Sequence, residues 1–333
     1  MYPHEQAPLP RETGTLGRGQ GSRNFEYDAT RASKEQGIPC AILPGTSGHT
    51  RAGIAGGAMK KRLAALVIHG IGRQSPNFAD QLVDGVSTQL ERLGHDPDQV
   101  AWQPVFWDDI LRPAQNVYLQ AAYDSTDLRA RRLRTLLLSA LGDAVGYRQL
   151  PSGGRHGSGE ETHTYQRVHA RVREAMAALY QETLFHRAVP LVVLAHSFGG
   201  HILSNYIWDS QQRPDRRLSP FERMNWLTGF ITFGCNIPLF TFACRQVQPI
   251  RFPPPRLPAR LKRDARWLNF FDPDDVLGWP LRPINAAYAK VVNSDQRINV
   301  GGPVTGWTPA SHLAYWADRR FARQVAAFLD TLL

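Results

Sequence analysis

The segment Leu-Val-Val-Leu-Ala-His-Ser-Phe-Gly-Gly-His, residues 191–201, decides the fold of this 333-residue chain. The continuous apolar run over 189–196 predicts a strand of a parallel sheet that is covered on both faces. The run passes directly into Ser197, and a helix is predicted over 199–211. A strand, a sharp turn and a helix in this order indicate that the serine hydroxyl lies at the carboxyl end of the strand.

Strands and helices alternate on both sides of this segment. Short apolar runs rich in β-branched and aromatic residues predict strands at 65–69, 100–107, 228–234, 267–271 and near 291–292. Apolar residues three or four apart predict helices at 77–93, 113–147, 162–186 and from residue 316. This alternation is typical of an α/β fold with a doubly wound, mostly parallel sheet and right-handed crossovers.

The first 58 residues differ from the rest of the chain. They contain ten glycines and five prolines and show no sustained hydrophobic period. Such a segment cannot offset its own ordering entropy. We therefore predict a disordered leader over 1–58, or alternatively a gene start placed upstream of Met59, and one folded domain over 59–333.

The composition excludes several classes of protein. Hydrophobic residues make up 42% of the chain, which is enough for a sizeable core, and no window approaches about 18 consecutive apolar residues. The three cysteines have neither disulfide nor zinc spacing, so we expect a cytoplasmic protein without a metal. The net charge of +10 favours anionic partners such as a membrane surface. No recognition motif indicates a nucleic-acid partner.

Two segments after Ser197 supply an acid and a base. The acid cluster Asp-Pro-Asp-Asp-Val, residues 272–276, follows the predicted strand 267–271, and Ser-His-Leu-Ala-Tyr-Trp, residues 311–316, precedes the last predicted helix. A serine hydroxyl is a weak nucleophile unless an imidazole accepts its proton and a carboxylate orients that imidazole. The order serine, aspartate, histidine is the one used by hydrolases with a strand–turn–helix nucleophile.

Four sequence blocks carry a family resemblance over about residues 62–331. The blocks HGIG, AHSFGG, DPDDV and SHLAYW, in this order, resemble the bacterial lipase/esterase-like serine hydrolases of the α/β-hydrolase superfamily. Ala195 replaces the first glycine of the nucleophile elbow G-x-S-x-G. The resemblance implies a single α/β-hydrolase domain that cleaves carboxylic esters, either small-molecule or lipid-like, through an acyl-enzyme and without a cofactor.

The resemblance also implies roles for particular residues. Ser197 would be the nucleophile, His312 the base, and Asp275 the acid, because Asp-Val-Leu-Gly-Trp-Pro at 275–280 is similar to the pattern around the acid in such lipases. Asp272 is the alternate acid, and Asp274 and Asp295 are weaker candidates. The oxyanion hole and its support are implied at the following positions: the amides of Ile71 and Phe198, with His69, Gly70, Gly72 and Gly199 as supporting residues.

Other functions remain open at this stage. An acyltransferase or an amidase could use the same three side chains, and a non-catalytic hydrolase fold could serve as a binding or scaffold protein. Residues 112–186 exceed what one crossover needs, so they hold crossover helices and a candidate lid. Within them, 129–141 is basic and then leucine-rich. We interpret it as an ordinary helix that packs Leu136, Leu137 and Leu141 on the sheet, with an interfacial helix as the alternative.

Overall fold

Six parallel strands form one sheet in the computed structural model, which describes residues 61–147, 164–242, 246–301 and 311–333. The strands are β1 (Leu63–Ile68), β2 (Val100–Val105), β3 (Leu191–His196), β4 (Leu227–Phe233), β5 (Arg266–Phe271) and β6 (Ser294–Arg297). They lie in the order β2-β1-β3-β4-β5-β6, and each neighbouring pair is parallel. The leader predicted over 1–58 lies outside the described residues.

Helices connect these strands. In chain order they are α1 (Asp80–Arg92), α2 (Arg112–Ser125), α3 (Arg131–Gly146), α4 (Thr164–Ala178), α5 (Phe198–Gln212), α6 (Ile237–Thr241), α7 (Ala259–Lys262), α8 (Ala286–Val291), α9 (Ser311–Ala314) and α10 (Arg319–Asp330). Among the described residues, no helix is both long enough and apolar enough to span a membrane.

The sheet is buried on both faces. Alternate residues of β1 point to opposite sides: Leu66 packs in a core with α4 and α5, whereas Val67 packs in a second core with α1 and α10. All six residues of β1 and of β3 are buried, which is why these strands are continuous apolar runs. The predicted fold class is confirmed: an α/β fold with a doubly wound parallel sheet, in which the helices α2 to α4 lie between β2 and β3.

Two predicted elements differ from the structure. The helix predicted over 113–147 is an antiparallel pair, α2 and α3, because Ala130 adopts a left-handed φ of 55° that breaks the helix. The strand predicted near 291–292 is wrong, since Val291 ends α8 and the last strand is Ser294–Arg297. That strand lies at the edge of the sheet and is polar, so no apolar run marks it.

The interpretation that Leu136, Leu137 and Leu141 pack on the sheet is also wrong. These three side chains are 50–63% exposed. Helix α3 packs instead against α2, where the Tyr123 hydroxyl lies 3.0 Å from the Thr135 hydroxyl. The side of α3 that faces the protein is therefore polar.

A buried chain of polar side chains joins the last three strands. The Thr232 hydroxyl on β4 donates to Asn269 Oδ1 on β5 at 2.8 Å. Asn269 Nδ2 in turn donates to Asp295 Oδ1 on β6 at 2.8 Å and to the carbonyl oxygen of Trp279 at 3.0 Å. Since Thr232 and Asn269 are fully buried, each of these bonds satisfies a group that water cannot reach.

Asp295, a weaker acid candidate in the sequence, is used by this network. Its carboxylate accepts hydrogen bonds from the main-chain N–H groups of Leu281 and Arg282, at 2.8 and 2.9 Å. The aspartate therefore fastens the segment after β5 to the edge strand.

The substitution Asn269→Ala is expected to lower the free energy of unfolding by about 2–4 kcal/mol, because it removes the acceptor of the buried Thr232 hydroxyl and the donor to Asp295 and to the Trp279 carbonyl oxygen. Urea unfolding followed by circular dichroism measures the change. Asn299→Ala, at an exposed position two residues after β6, is the control and should change stability by less than about 0.5 kcal/mol. Equal effects of the two substitutions would contradict the role of the network.

Candidate active site

The site lies where the order of the strands reverses. From β1 the chain moves outward to β2 and then returns to β3 on the other side of β1. Helices leave the sheet in opposite directions at such a point, so a crevice opens outside the carboxyl ends of β1 and β3. The His69–Gly72 turn follows β1, and Ser197 follows β3. The topology thus brings these two segments together.

Ser197 occupies a sharp turn between β3 and α5. Its backbone has φ 54° and ψ −124°, a conformation that costs a non-glycine residue of the order of 1–3 kcal/mol. The turn is held by its main chain, because the N–H of Ser197 donates to the carbonyl oxygen of Phe233 at 2.9 Å. A Cβ added at Gly199 would lie 2.7 Å from the carbonyl oxygen of His69. A glycine there lets α5 start directly against the end of β1.

Three side chains from distant parts of the sequence form a hydrogen-bonded row. Ser197 Oγ lies 2.8 Å from His312 Nε2, and His312 Nδ1 lies 2.8 and 3.0 Å from the two carboxylate oxygens of Asp275. A carboxylate only accepts hydrogen bonds, so Nδ1 carries the proton and Nε2 accepts from the serine hydroxyl. All three residues are buried. The arrangement can move a proton from the hydroxyl to the imidazole.

The two aspartates that the sequence left open have different partners. Asp275 contacts His312, whereas the carboxylate of Asp272 accepts from the N–H groups of Val300 at 2.6 Å and Asp274 at 2.9 Å. Asp272 therefore shapes the loop after β5. Asp274 lies at the surface and takes part only through this main-chain contact.

Tyr315 joins the two aspartates and was not singled out from the sequence. Its hydroxyl accepts from the N–H of Asp272 at 2.7 Å and donates to Asp275 Oδ2 at 3.3 Å. Burial raises the pKa of the Tyr315 hydroxyl, which keeps it protonated and able to donate. Tyr315 could have been found from the sequence by its position three residues after His312, on the next turn of the chain.

His196 also acts on His312, although it cannot reach the serine as a base. Its Nε2–H donates to the carbonyl oxygen of His312 at 2.7 Å, since a carbonyl only accepts. Burial lowers the pKa of His196 well below its ordinary value. The histidine next to the nucleophile is therefore neutral and fixes the main chain of the histidine across the site.

The glycine turn after β1 lies directly against Ser197. A Cβ added at Gly70 would lie 2.6 Å from Ser197 Cβ and 3.0 Å from its Oγ. His69 Nε2 accepts from the N–H of Trp107 at 3.1 Å, so its Nδ1 carries the proton and donates to the carbonyl oxygen of Gly70 at 2.8 Å. The C=O and N–H of one trans peptide point in opposite directions. The Ile71 N–H is thereby aimed away from His69.

A second amide lies on the other side of the serine. Phe198 is the first residue of α5, where a helical N–H group has no acceptor within its own helix. The dipole of this 15-residue helix favours negative charge at that end. The amides of Ile71 and Phe198 thus belong to the two segments that border Ser197.

Asp143 holds the same turn from the helical insertion, and no sequence pattern marks this residue. Its carboxylate, on α3, accepts from the N–H of Gly72 at 2.9 Å and from Gln115 Nε2 on α2 at 2.7 Å. Gly72 has a φ of 87°, which glycine adopts without strain. Burial raises the pKa of the Asp143 carboxyl. The helix pair therefore fixes one end of the turn that touches the nucleophile.

Within the described ranges, no group of three or more histidine, cysteine, aspartate or glutamate side chains could hold a metal ion. No protein-family model matches the sequence, and no curated protein matches it. Among solved structures, a dienelactone hydrolase from Anabaena variabilis is similar with a TM-score of 0.35 and 13% identity, over 83% of this chain and 88% of that chain. The hydrogen-bonded side chains, not this distant similarity, indicate what the site can do.

Three buried histidines and the half-buried His201 are held neutral. Burial lowers the pKa of His69 and His201 to about 4 and that of His169 to about 3, and it holds the pKa of His196 well below its ordinary value. The unfolded chain binds protons at these imidazoles from about pH 6.5 downward, whereas the folded protein does not. Their contribution to stability is therefore complete above about pH 6.5 and is lost as the pH falls toward 4.

The free energy of unfolding is expected to fall steeply between about pH 6.5 and pH 4, by up to about 1.4 kcal/mol per pH unit for each of these histidines. Urea unfolding at half-unit steps of pH measures the slope. His169→Gln, which keeps hydrogen-bonding atoms beside Tyr147, should remove one histidine's share of the slope. A variant curve parallel to that of the wild type would contradict this assignment.

For the ester hydrolysis that the family resemblance implies, Asp143→Ala is expected to lower kcat for a soluble ester about tenfold with little change in KM, because it frees the Gly72 end of the turn without touching substrate. Asp143→Asn keeps an acceptor oxygen and should recover most of the rate. Asp124→Ala, on the exposed part of the same helix pair, is the control and should have no effect. A change in KM alone, or no rescue by asparagine, would contradict a positioning role.

Proposed function

We propose that this protein is a serine hydrolase that cleaves carboxylic esters through an acyl-enzyme. The observation that carries the proposal is the hydrogen-bonded row of Ser197, His312 and Asp275, with its 2.8 Å contact between Oγ and Nε2 at a strained turn. A hydroxyl held in this way, beside a base whose tautomer a carboxylate fixes, is an activated nucleophile.

In the first half of the proposed reaction, Ser197 Oγ bonds to the ester carbonyl carbon while its proton passes to His312 Nε2. Asp275 stabilises the resulting imidazolium and does not take the proton. When the tetrahedral intermediate collapses, the bond to the alcohol oxygen breaks and His312 returns the proton to the leaving alcohol. Ser197 then carries the acyl group.

In the second half, a water molecule gives its proton to His312 and attacks the acyl carbon. The carbon–Oγ bond breaks, the proton returns to Ser197 and the carboxylic acid leaves. In both halves the amides of Ile71 and Phe198 would stabilise the oxyanion, and the loss of one such donor typically costs about 3 kcal/mol. His69 supports the first donor by fixing the Gly70 carbonyl. The steps use no metal or organic cofactor.

Exposed apolar side chains around the site favour acyl or lipid-like esters as substrates. Val276, Leu277 and Trp279 lie on the loop that carries Asp275, and Leu313 follows His312 directly; all four are exposed. An apolar acyl chain that covers them gains the free energy of removing apolar surface from water. Transfer of the acyl group to another acceptor, or cleavage of an amide, would start from the same serine chemistry.

Ser197→Ala and His312→Ala should each lower kcat/KM for p-nitrophenyl esters by about a thousandfold or more, because each removes a member of one proton-transfer unit. Asp275→Asn should cause a loss of similar order, since it alters the tautomer of His312. Asp272→Asn is the matched control: it removes a neighbouring carboxylate that does not contact the imidazole, so its loss should be below about tenfold.

Labelling with a fluorophosphonate tests the reactivity of the serine independently of substrate choice. The wild type should be labelled at Ser197, and the Ser197→Ala variant should not. A folded wild-type protein that stays unlabelled would refute the enzyme and favour a binding or scaffold protein.

A further inference from the structure

The apolar face of helix α3 points outward, whereas an ordinary surface helix turns its apolar face toward the core. Five large apolar side chains along it are 50–63% exposed: Leu133, Leu136, Leu137, Leu141 and Val145. They recur every three or four residues and so form one continuous stripe. The buried residues of the helix are Ser139 and Asp143, on the opposite side. The apolar stripe therefore faces outward because the polar face is occupied by contacts with α2 and with the turn after β1.

Exposed arginines lie at the amino-terminal end of the stripe. Successive residues of a helix are about 100° apart, so Arg132 and Arg134 flank Leu133 on either side. Both are exposed, and Arg129 lies just before the helix begins. Arg131 points to the other side and lies over the Tyr123 ring of α2 at 5.0 Å. An apolar strip with guanidinium groups at one end matches the boundary between acyl chains and phosphate headgroups.

The stripe belongs to the edge of the sheet that carries the site. Asp143, near the end of α3, is bonded to Gly72, and the turn that contains Gly72 touches Ser197. Further exposed apolar side chains follow the carboxyl ends of the strands at the same edge: Leu239 and Phe242 after β4, and Val276 and Trp279 after β5. The carboxyl ends of parallel strands share one edge, so these side chains start from the edge of the sheet to which Asp143 attaches α3.

We propose that the α3 surface, defined as the five stripe residues with Arg132 and Arg134, docks on an anionic lipid–water interface. The positive charge favours this occupant over a second copy of the chain. In an isologous dimer these arginines would face either the same arginines, where the two α3 helices run parallel, or the apolar carboxyl-terminal end of the stripe, where they run antiparallel, and in neither case would they gain an anionic partner. An anionic membrane instead pairs them with phosphates and covers the leucines with acyl chains.

This inference extends the proposed function. Only the identity of the ester substrate rests on that function. Docking through α3 turns the site's edge of the sheet toward the membrane, so the esters within reach of Ser197 are those of lipids or of molecules dissolved in the bilayer. The docking itself does not require a reactive serine.

Flotation with vesicles tests the surface. The full-length protein should float with phosphatidylcholine vesicles that contain roughly a third phosphatidylglycerol, and much less with pure phosphatidylcholine vesicles. Raising sodium chloride from about 0.1 M to about 1 M should weaken the binding, because salt screens the arginines from the headgroups.

The double variant Leu137→Asp with Leu141→Asp should lower the vesicle partition coefficient by about a hundredfold, or about tenfold for each leucine. Both side chains are exposed, so the double variant should unfold at the same thermal midpoint as the wild type. An unchanged midpoint shows that the loss of vesicle binding is not caused by unfolding. Phe185→Asp is the matched control: this side chain is 73% exposed and precedes β3 at the opposite edge, and its replacement should leave vesicle binding unchanged.

The role of the arginines is tested by two double variants that remove the same amount of charge at different places. Arg132→Gln with Arg134→Gln should abolish the preference for anionic vesicles, whereas Arg213→Gln with Arg216→Gln removes the same charge elsewhere and should preserve it. Wild-type protein that does not float with anionic vesicles, or α3 variants that float as the wild type does, would overturn the proposal. A dimer that the leucine variant converts to a monomer in light scattering, without vesicle binding, would assign the stripe to a second copy and also overturn it.

Failure of the docking and failure of the proposed function are distinguishable. Ser197→Ala should bind vesicles as the wild type does. Hydrolysis of a soluble p-nitrophenyl ester by the wild type reports on the function without any membrane. A protein that hydrolyses the soluble ester and ignores vesicles would refute the docking alone.

Discussion

Ser197 reaches the crevice only because the start of α5 lies against the end of β1. Gly199 lies so close to the carbonyl oxygen of His69, and Gly70 so close to the Ser197 side chain, that neither glycine could carry a Cβ atom without a clash. This close approach holds a backbone conformation that would otherwise relax, and it sets two main-chain amides beside one hydroxyl. The strain is sustained by the sheet itself, since the amide of Ser197 is bonded to β4.

The parallel sheet then gathers the other groups. Loops that follow β3, β5 and β6 all start from the same edge, so a serine, an aspartate and a histidine far apart in sequence converge. Each is fixed by neighbours that do not react: His196 bonds to the main chain of His312, and Tyr315 bonds to Asp275. The histidine that touches the serine is thus held both through its ring and through its carbonyl oxygen.

The sequence predicted those parts of the fold whose signal is local. The strands buried on both faces were found because burial demands an apolar run, whereas the edge strand Ser294–Arg297 was missed because it has one neighbour and polar residues. The choice of Asp275 over Asp272 rested on a family pattern, and the structure separates the two by their partners. The role of Asp143 could not be predicted from a local pattern, since its partner Gly72 lies 71 residues away in the sequence.

Helix α3 shows most clearly what the sequence determines and what tertiary contacts determine. The sequence by itself predicted helix and a leucine stripe for these residues, within a longer helix over 113–147, because helical spacing is a local property. It could not determine which face turns inward, since an apolar face ordinarily packs on a core and a polar face ordinarily meets water. Tertiary structure decided this, because contacts of Thr135 and Asp143 with α2 and Gly72 fix the polar face inward and leave the leucines outside.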